Sequence, residues 1–204
     1  MKVAITKDNK DEITSYERFV KVEKCIKDLL VLIGEDPTRS GLKDTPERIA
    51  RMYQELFKGY DPSKVPDVTT FKNGDDGVIY DEMIIDSGYF FSMCEHHMLP
   101  FFGHYYFAYI PNTKIIGLSK IARVVDYYSA RLQVQERLTR IIVDQLQEAL
   151  EPLAIGLVLR ARHLCKEMRG IKKINGEMIT SEMRGLFRLD DKARQEFLRL
   201  INNK

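Results

Sequence analysis

Apolar residues follow two rhythms along this chain, and the change between them divides it. Phe19, Val22, Ile26, Leu29, Leu30 and Ile33 recur every three or four positions, which sets them on one face of a helix. Thr14 and Glu17 stand at capping-box spacing and predict its start, and Gly34 predicts its stop. Cys25 lies at the edge of that stripe and is expected to be a small packed residue. The segment EDPTRSGLKD reads as a loop. Thr45 then caps a second helix with Pro46 in its first turn, and Ile49, Met52, Tyr53, Leu56 and Phe57 supply its apolar face up to Gly59. Two amphipathic helices joined by a loop predict an N-terminal helical hairpin over residues 1–60. Asp61 to Asp76 reads as a turn-rich connector.

From Val78 the texture becomes β-branched and aromatic. MIIDSGYFFSM and YYFAYIP predict strands with a turn between them. Helices are predicted over Leu118–Arg131 and Val134–Leu150, the second with Leu138, Ile142, Leu146 and Leu150 in register. A strand from Ile155 to Leu164, a short strand in TSEMRGLF and a last helix from about Asp191 complete the order. Helices, then strands, then helices and strand again define an α+β class, with residues 61–204 as the larger domain.

Bulk composition adds exclusions. The 204 residues are 44% hydrophobic and 30% charged, an ordinary globular mixture. A net charge of +2 gives no support to a nucleic-acid-binding protein. No apolar run approaches the roughly 20 residues of a membrane helix, and the polar N-terminus lacks the apolar core of a signal peptide. The expectation is a cytoplasmic protein with neither membrane nor nucleic acid as partner. Three cysteines, Cys25, Cys94 and Cys165, do not suggest a disulfide framework.

The chemistry is concentrated. His96, His97, His163, Cys94 and Cys165 occupy two short segments, and the chain has only four histidines. Cys94 and His97 have the spacing that lets one turn present two ligands. Alternation along GLVLRARHLC sets Leu157, Leu159, Ala161, His163 and Cys165 on one strand face. Core packing is the alternative reading of that face, and four adjacent polar or reactive groups in CEHH need partners. With zinc bound, two arrangements stay open. Cys94, His97, His163 and Cys165 could close a four-ligand structural site. Alternatively, three of them bind, water takes the fourth place, and the spare histidines act as acid and base.

Two further groups bear on a substrate. Ser119, Lys120 and Arg123 open a predicted helix and lie near one another on it, an arrangement suited to a polyanion such as a triphosphate. Arg169 and Arg48 could add charge, although solvated surface is the plainer reading for each. Gln135 and Glu136 open the next helix, and a carboxylate there could accept the paired N1–H and N2–H2 donors of guanine, or pair with an arginine.

The stretches DTPERIARM, FSMCEHH, IPN, IGLSKIARVVD, LQVQERLT, HLCKEMRG and TSEMRGLFR, in this order, resemble GTP cyclohydrolase I from about residue 40 to about 200. The resemblance implies a tunnelling fold, an antiparallel sheet backed by helices, assembled as a toroidal homodecamer with active sites between subunits. It implies hydrolytic opening of the GTP imidazole ring at C8, loss of formate and reclosure to 7,8-dihydroneopterin triphosphate. By matching position, Cys94, His97 and Cys165 would hold Zn2+ with water fourth, and His96 and His163 would be the acid/base pair. Gln135 and Glu136 would hold the guanine edge. Ser119, Lys120, Arg123, Arg169 and Arg48 would grip the triphosphate. The chain departs from the usual pattern at His104, Lys166, Glu167 and Arg184. The alternative is a non-catalytic, structural-zinc protein of the same fold that binds a purine or pterin.

Overall fold

The structure, a computed structural model, describes residues 15–202. The expected cap at Thr14 and the polar N-terminal stretch lie outside the described residues. Contacts divide the chain into two units, Met1–Leu56 and Phe57–Lys204. In the first, α1 (Ser15–Leu32) packs against α2 (Thr45–Leu56). The buried spine of α1 is narrower than the sequence stripe. Ile26 and Leu30 are buried and Phe19 and Val22 are half-buried, whereas Leu29 and Ile33 are exposed. Cys25 lies outside that narrow spine and is exposed, contrary to the packed role expected of it. Gly34 ends the helical segment at a φ of 92°, and the Glu35 N–H returns to Leu30 O at 2.9 Å.

The second unit is built on one five-stranded sheet. Its long strands are β2 (Ile84–Cys94), β3 (Pro100–Ile110), β6 (Ala154–His163) and β7 (Glu177–Gly185), which pair antiparallel in that order. The two-residue β5 (Leu132–Gln133) adds to the free side of β2 in parallel, with Cys94 opposite Gln133. Two short strands, β1 (Thr70–Lys72) and β4 (Lys114–Ile116), form a separate ribbon, so the expected connector is partly ordered. Three-residue strands carry too few positions for a period of two to be visible.

Helices α3 (Leu118–Ser129) and α4 (Gln135–Leu150) cover one face of the sheet. Strand alternation decides what they cover. Phe90, Phe101, Tyr105, Phe107, Leu157 and Leu159 meet Ile121, Val125, Leu138, Ile142 and Leu146 in one core. At about 1.5–3 kcal/mol per fully buried large side chain, this layer is what fixes the strand ends. A smaller core on the opposite face joins Tyr106, Ala108 and Val158 to Phe187 and Phe197, from α6 (Leu186–Leu189) and α7 (Asp191–Asn202). Beyond it that face is open, and Tyr89 and Phe91 are 62% and 67% exposed. Among the described residues no helix is long and apolar enough to cross a membrane.

Candidate metal centre and its histidines

The centre forms where the main core ends. Cys94 is the last residue of β2, buried, with its N–H donating to Leu99 O at 2.9 Å. The chain then turns tightly. The Met98 N–H reaches Cys94 O at 2.8 Å, with Met98 in the left-handed region at a φ of 50°. This turn brings His97 Nδ1 to 3.8 Å from Cys94 Sγ. Cys165 arrives from the far strand. It does not lie on β6, as alternation suggested. The strand ends at His163, and Cys165 projects from the single-turn helix α5 (Leu164–Glu167). The donor atoms of Cys94, His97 and Cys165 lie within 4.8 Å of one another. Donors 2.0–2.3 Å from a shared tetrahedral ion lie about 3.5–3.8 Å apart, so a small contraction would complete the set. Burial pushes the Cys165 thiol up, and a hydrogen bond with Cys94 adds to that. A cation placed among these groups reverses the preference by stabilising thiolate.

His163 stands apart from the donor cluster. Its ring stacks on Phe101 at 4.6 Å between centroids and 3° between planes, and its Nε2 lies 2.9 Å from Gln135 Oε1. Burial holds the imidazole below its ordinary range, partly offset by the Glu136 carboxylate, so it is neutral at neutral pH. His96 is different in kind. It is exposed on the turn, with Nδ1 3.9 Å from Cys94 Sγ and Nε2 3.8 Å from Glu95 Oε1. Glu95 is itself paired with Arg137, which lowers its carboxyl pKa, and its backbone N–H donates to Gln133 O at 3.1 Å.

Gln135 and Glu136 begin α4 but separate at once. Glu136 is exposed. The Gln135 side chain is 1% exposed, and its amide is bonded within the chain to β6, β7 and His163. This departs from the expectation that the two side chains work as a pair. Ser119, Lys120 and Arg123 lie on the first two turns of α3, whose cap Gly117 offers no side-chain hydrogen bond. Ser119 and Arg123 are exposed, and Lys120 sits 3.9 Å from Asp67. Arg169 is exposed, and its charge is felt at Cys165. Arg48 belongs to the N-terminal unit, where it pairs with Asp44 at 3.3 Å.

Several contributors were not singled out in the sequence. Phe101 supplies the platform under His163, and Thr139 and Thr180 stand behind Gln135. Only Thr139, four residues after Gln135 on one helix, could have been placed beside it from spacing.

Two thiols and an imidazole gathered at a sheet end form a group that could hold a metal ion, with a histidine held in one plane two residues before the second thiol. Residues 22–202 match the family model described as GTP cyclohydrolase I, and the chain belongs to that family. Its similarity to relatives is spread over nearly their whole length. It is 47% identical over 186 residues to GTP cyclohydrolase 1 of Caldanaerobacter subterraneus subsp. tengcongensis, covering 90% of this chain and 97% of that protein. The corresponding protein of Leptospira biflexa serovar Patoc is 46% identical over 182 residues, covering 88% and 97%. That of Coxiella burnetii is 47% identical over 180 residues, covering 86% and 95%. The crystal structure of the archaeosine synthase QueF-Like in the apo form aligns with 50% of this chain and 93% of its own at a TM-score of 0.42 and 16% identity. The α+β arrangement of helices on an antiparallel sheet is the tunnelling fold of this family.

Proposed function

We propose that this protein opens the imidazole ring of GTP at C8 with water, releases formate and recloses the ring to 7,8-dihydroneopterin triphosphate. One observation carries the reading in a chain of this family. The donor atoms of Cys94, His97 and Cys165 converge, while His163, two residues before Cys165, stays outside that set with its Nε2 bonded to Gln135. A two-sulfur, one-nitrogen set suits Zn2+, which with three protein ligands supplies Lewis-acid activation of water near neutral pH.

The chain's own groups then divide the remaining work. His163, neutral and fixed in plane, takes up and returns a proton as formate leaves and the ring recloses. His96, on the exposed turn, delivers a proton near N7 as the ring opens. Glu136 accepts the paired donors of the guanine edge. Ser119, Lys120 and Arg123 at the start of α3, together with Arg169, hold the triphosphate. Binding energy gathered far from C8 thereby fixes the base against the metal. The exposed aromatic stretch around Tyr89 and Phe91 favours a homo-oligomer, taken here as a toroidal decamer with sites between subunits.

The test separates metal binding from turnover. His163→Ala is expected to retain zinc and to lose formate release by about 10²–10⁴-fold. Loss of zinc with that change would mean a closed four-ligand site and would overturn the catalytic assignment. Glu136→Ala should weaken GTP far more than inorganic triphosphate, and equal weakening of both would remove Glu136 from the base pocket.

A further inference from the structure

The bonds around Gln135 carry directional information about His163. Gln135 Nε2 lies 3.1 Å from Leu159 O, 3.0 Å from Met178 O and 3.1 Å from Thr180 Oγ1. Two of these partners are backbone carbonyls, which only accept. The amide nitrogen must therefore face them, because the reverse orientation would set an oxygen against two carbonyl oxygens in a buried site. The two threonines point the same way. The Thr139 hydroxyl donates to Gln135 O at 2.7 Å, so at 2.6 Å it can only accept from the Thr180 hydroxyl. Thr180 Oγ1 is then left to accept from the Gln135 amide. Each bond in the chain Thr139, Thr180, Gln135 has one permitted direction.

That direction ends at the imidazole. Gln135 Oε1 can only accept, so the ring nitrogen 2.9 Å away must donate. Neutral imidazole has one proton to place, and Nε2 takes it. The parallel Phe101 ring prevents the imidazole from turning out of this bond.

Resting on the assignment of His163 as an acid/base group, we infer that Gln135, backed by Thr139 and Thr180, is a positioning residue that locks His163 in the Nε2–H tautomer and leaves Nδ1 as its proton-accepting atom. The buried Gln135 side chain acts through His163 and does not touch guanine. A neutral histidine free to choose would divide between tautomers, and only one of them places the lone pair correctly.

The experiment is a solid-state 15N spectrum of the full chain, zinc-loaded and histidine-labelled, at mildly alkaline pH. His163 is assigned by the signal lost in His163→Ala. The expected result is a protonated Nε2 and an unprotonated Nδ1, and the opposite tautomer or an even mixture overturns the inference. Gln135→Met should keep zinc and assembly size, give mixed tautomers, and lower kcat about 10- to 100-fold with KM for GTP changed less than about threefold. A raised KM with kcat and tautomer unchanged would make Gln135 a substrate ligand and overturn the lock. Should Gln135→Met fail to assemble, the spectrum of the unaltered protein still decides. An Nε2–H tautomer together with full turnover in His163→Ala would uphold the lock and refute the acid/base role instead.

Discussion

The metal end and the anion end of the proposed site are built on different physical terms. Cys94, His163 and Gln135 occupy the last or first positions of β2, β6 and α4, elements whose placement is fixed by the shared core of Phe101, Leu138, Ile142 and Leu159. Ser119, Arg123 and Arg169 are exposed, and the nearest carboxylate to Lys120 is 3.9 Å away. Groups that bond to reacting atoms need placement within a fraction of an ångström, and core packing supplies it. Groups that contribute charge act over several ångströms and tolerate mobile side chains until an anion orders them. The metal end should therefore fail abruptly when altered, and the anion end by degrees.

The sharpest break comes from the sulfur ligands. Cys94→Ala or Cys165→Ala should abolish stoichiometric zinc, measured by elemental analysis, and lower formate release by at least about 10³-fold. Retained zinc in either variant would make the cluster incidental. At the anion end, Lys120→Ala and Arg123→Ala should each raise KM for GTP by about tenfold while zinc content stays fixed. The loss should shrink at high salt, where the unaltered protein also binds GTP less well. A fall in zinc content, or an effect on kcat alone, would contradict the division.

The smallest expected effect concerns the support behind Cys165. Arg162 grips the buried Glu167 carboxylate at 3.0 and 2.6 Å and holds its pKa below the ordinary range. A carboxyl whose folded pKa is depressed stabilises the fold above its unfolded value, about 4.3, and loses that contribution as pH falls through the folded value. Thermal unfolding of Glu167→Gln should therefore trail the unaltered protein at neutral pH, with the gap closing below about pH 4. A gap that widens in acid would contradict the pairing.

The same contrast governs what could be read from residues alone. Alternation along β6 correctly set Leu157, Leu159 and Ala161 on the core face, and His163 follows them to the Phe101 ring. Periodicity fails one step later, because a strand that becomes a helical turn re-aims Cys165 without any change of composition. The ribbon of β1 and β4 was hidden by its length, and β5 by its two residues. Thr180, 45 positions from Gln135, is placed there only by the pairing of β6 with β7. Arg184, a position at which a smaller or apolar residue was expected, has bonding partners in the structure. It joins β7 to α4 through Asp144 at 2.6 Å and Gln147 at 2.7 Å, and bonds Glu182 on its own strand at 2.9 Å. Lys166 and Glu167 lie next to the site, and the glutamate's partner is Arg162, within the same chain.

The most direct measurement follows formate from GTP in the purified protein as isolated, after chelation, and after zinc is restored. Formate equimolar with GTP consumed, a pterin absorbance rising with it, loss on chelation and recovery with zinc are the predicted results. Turnover indifferent to the chelator, or GTP bound with zinc present and no formate released, would contradict a metal centre that takes part in the reaction.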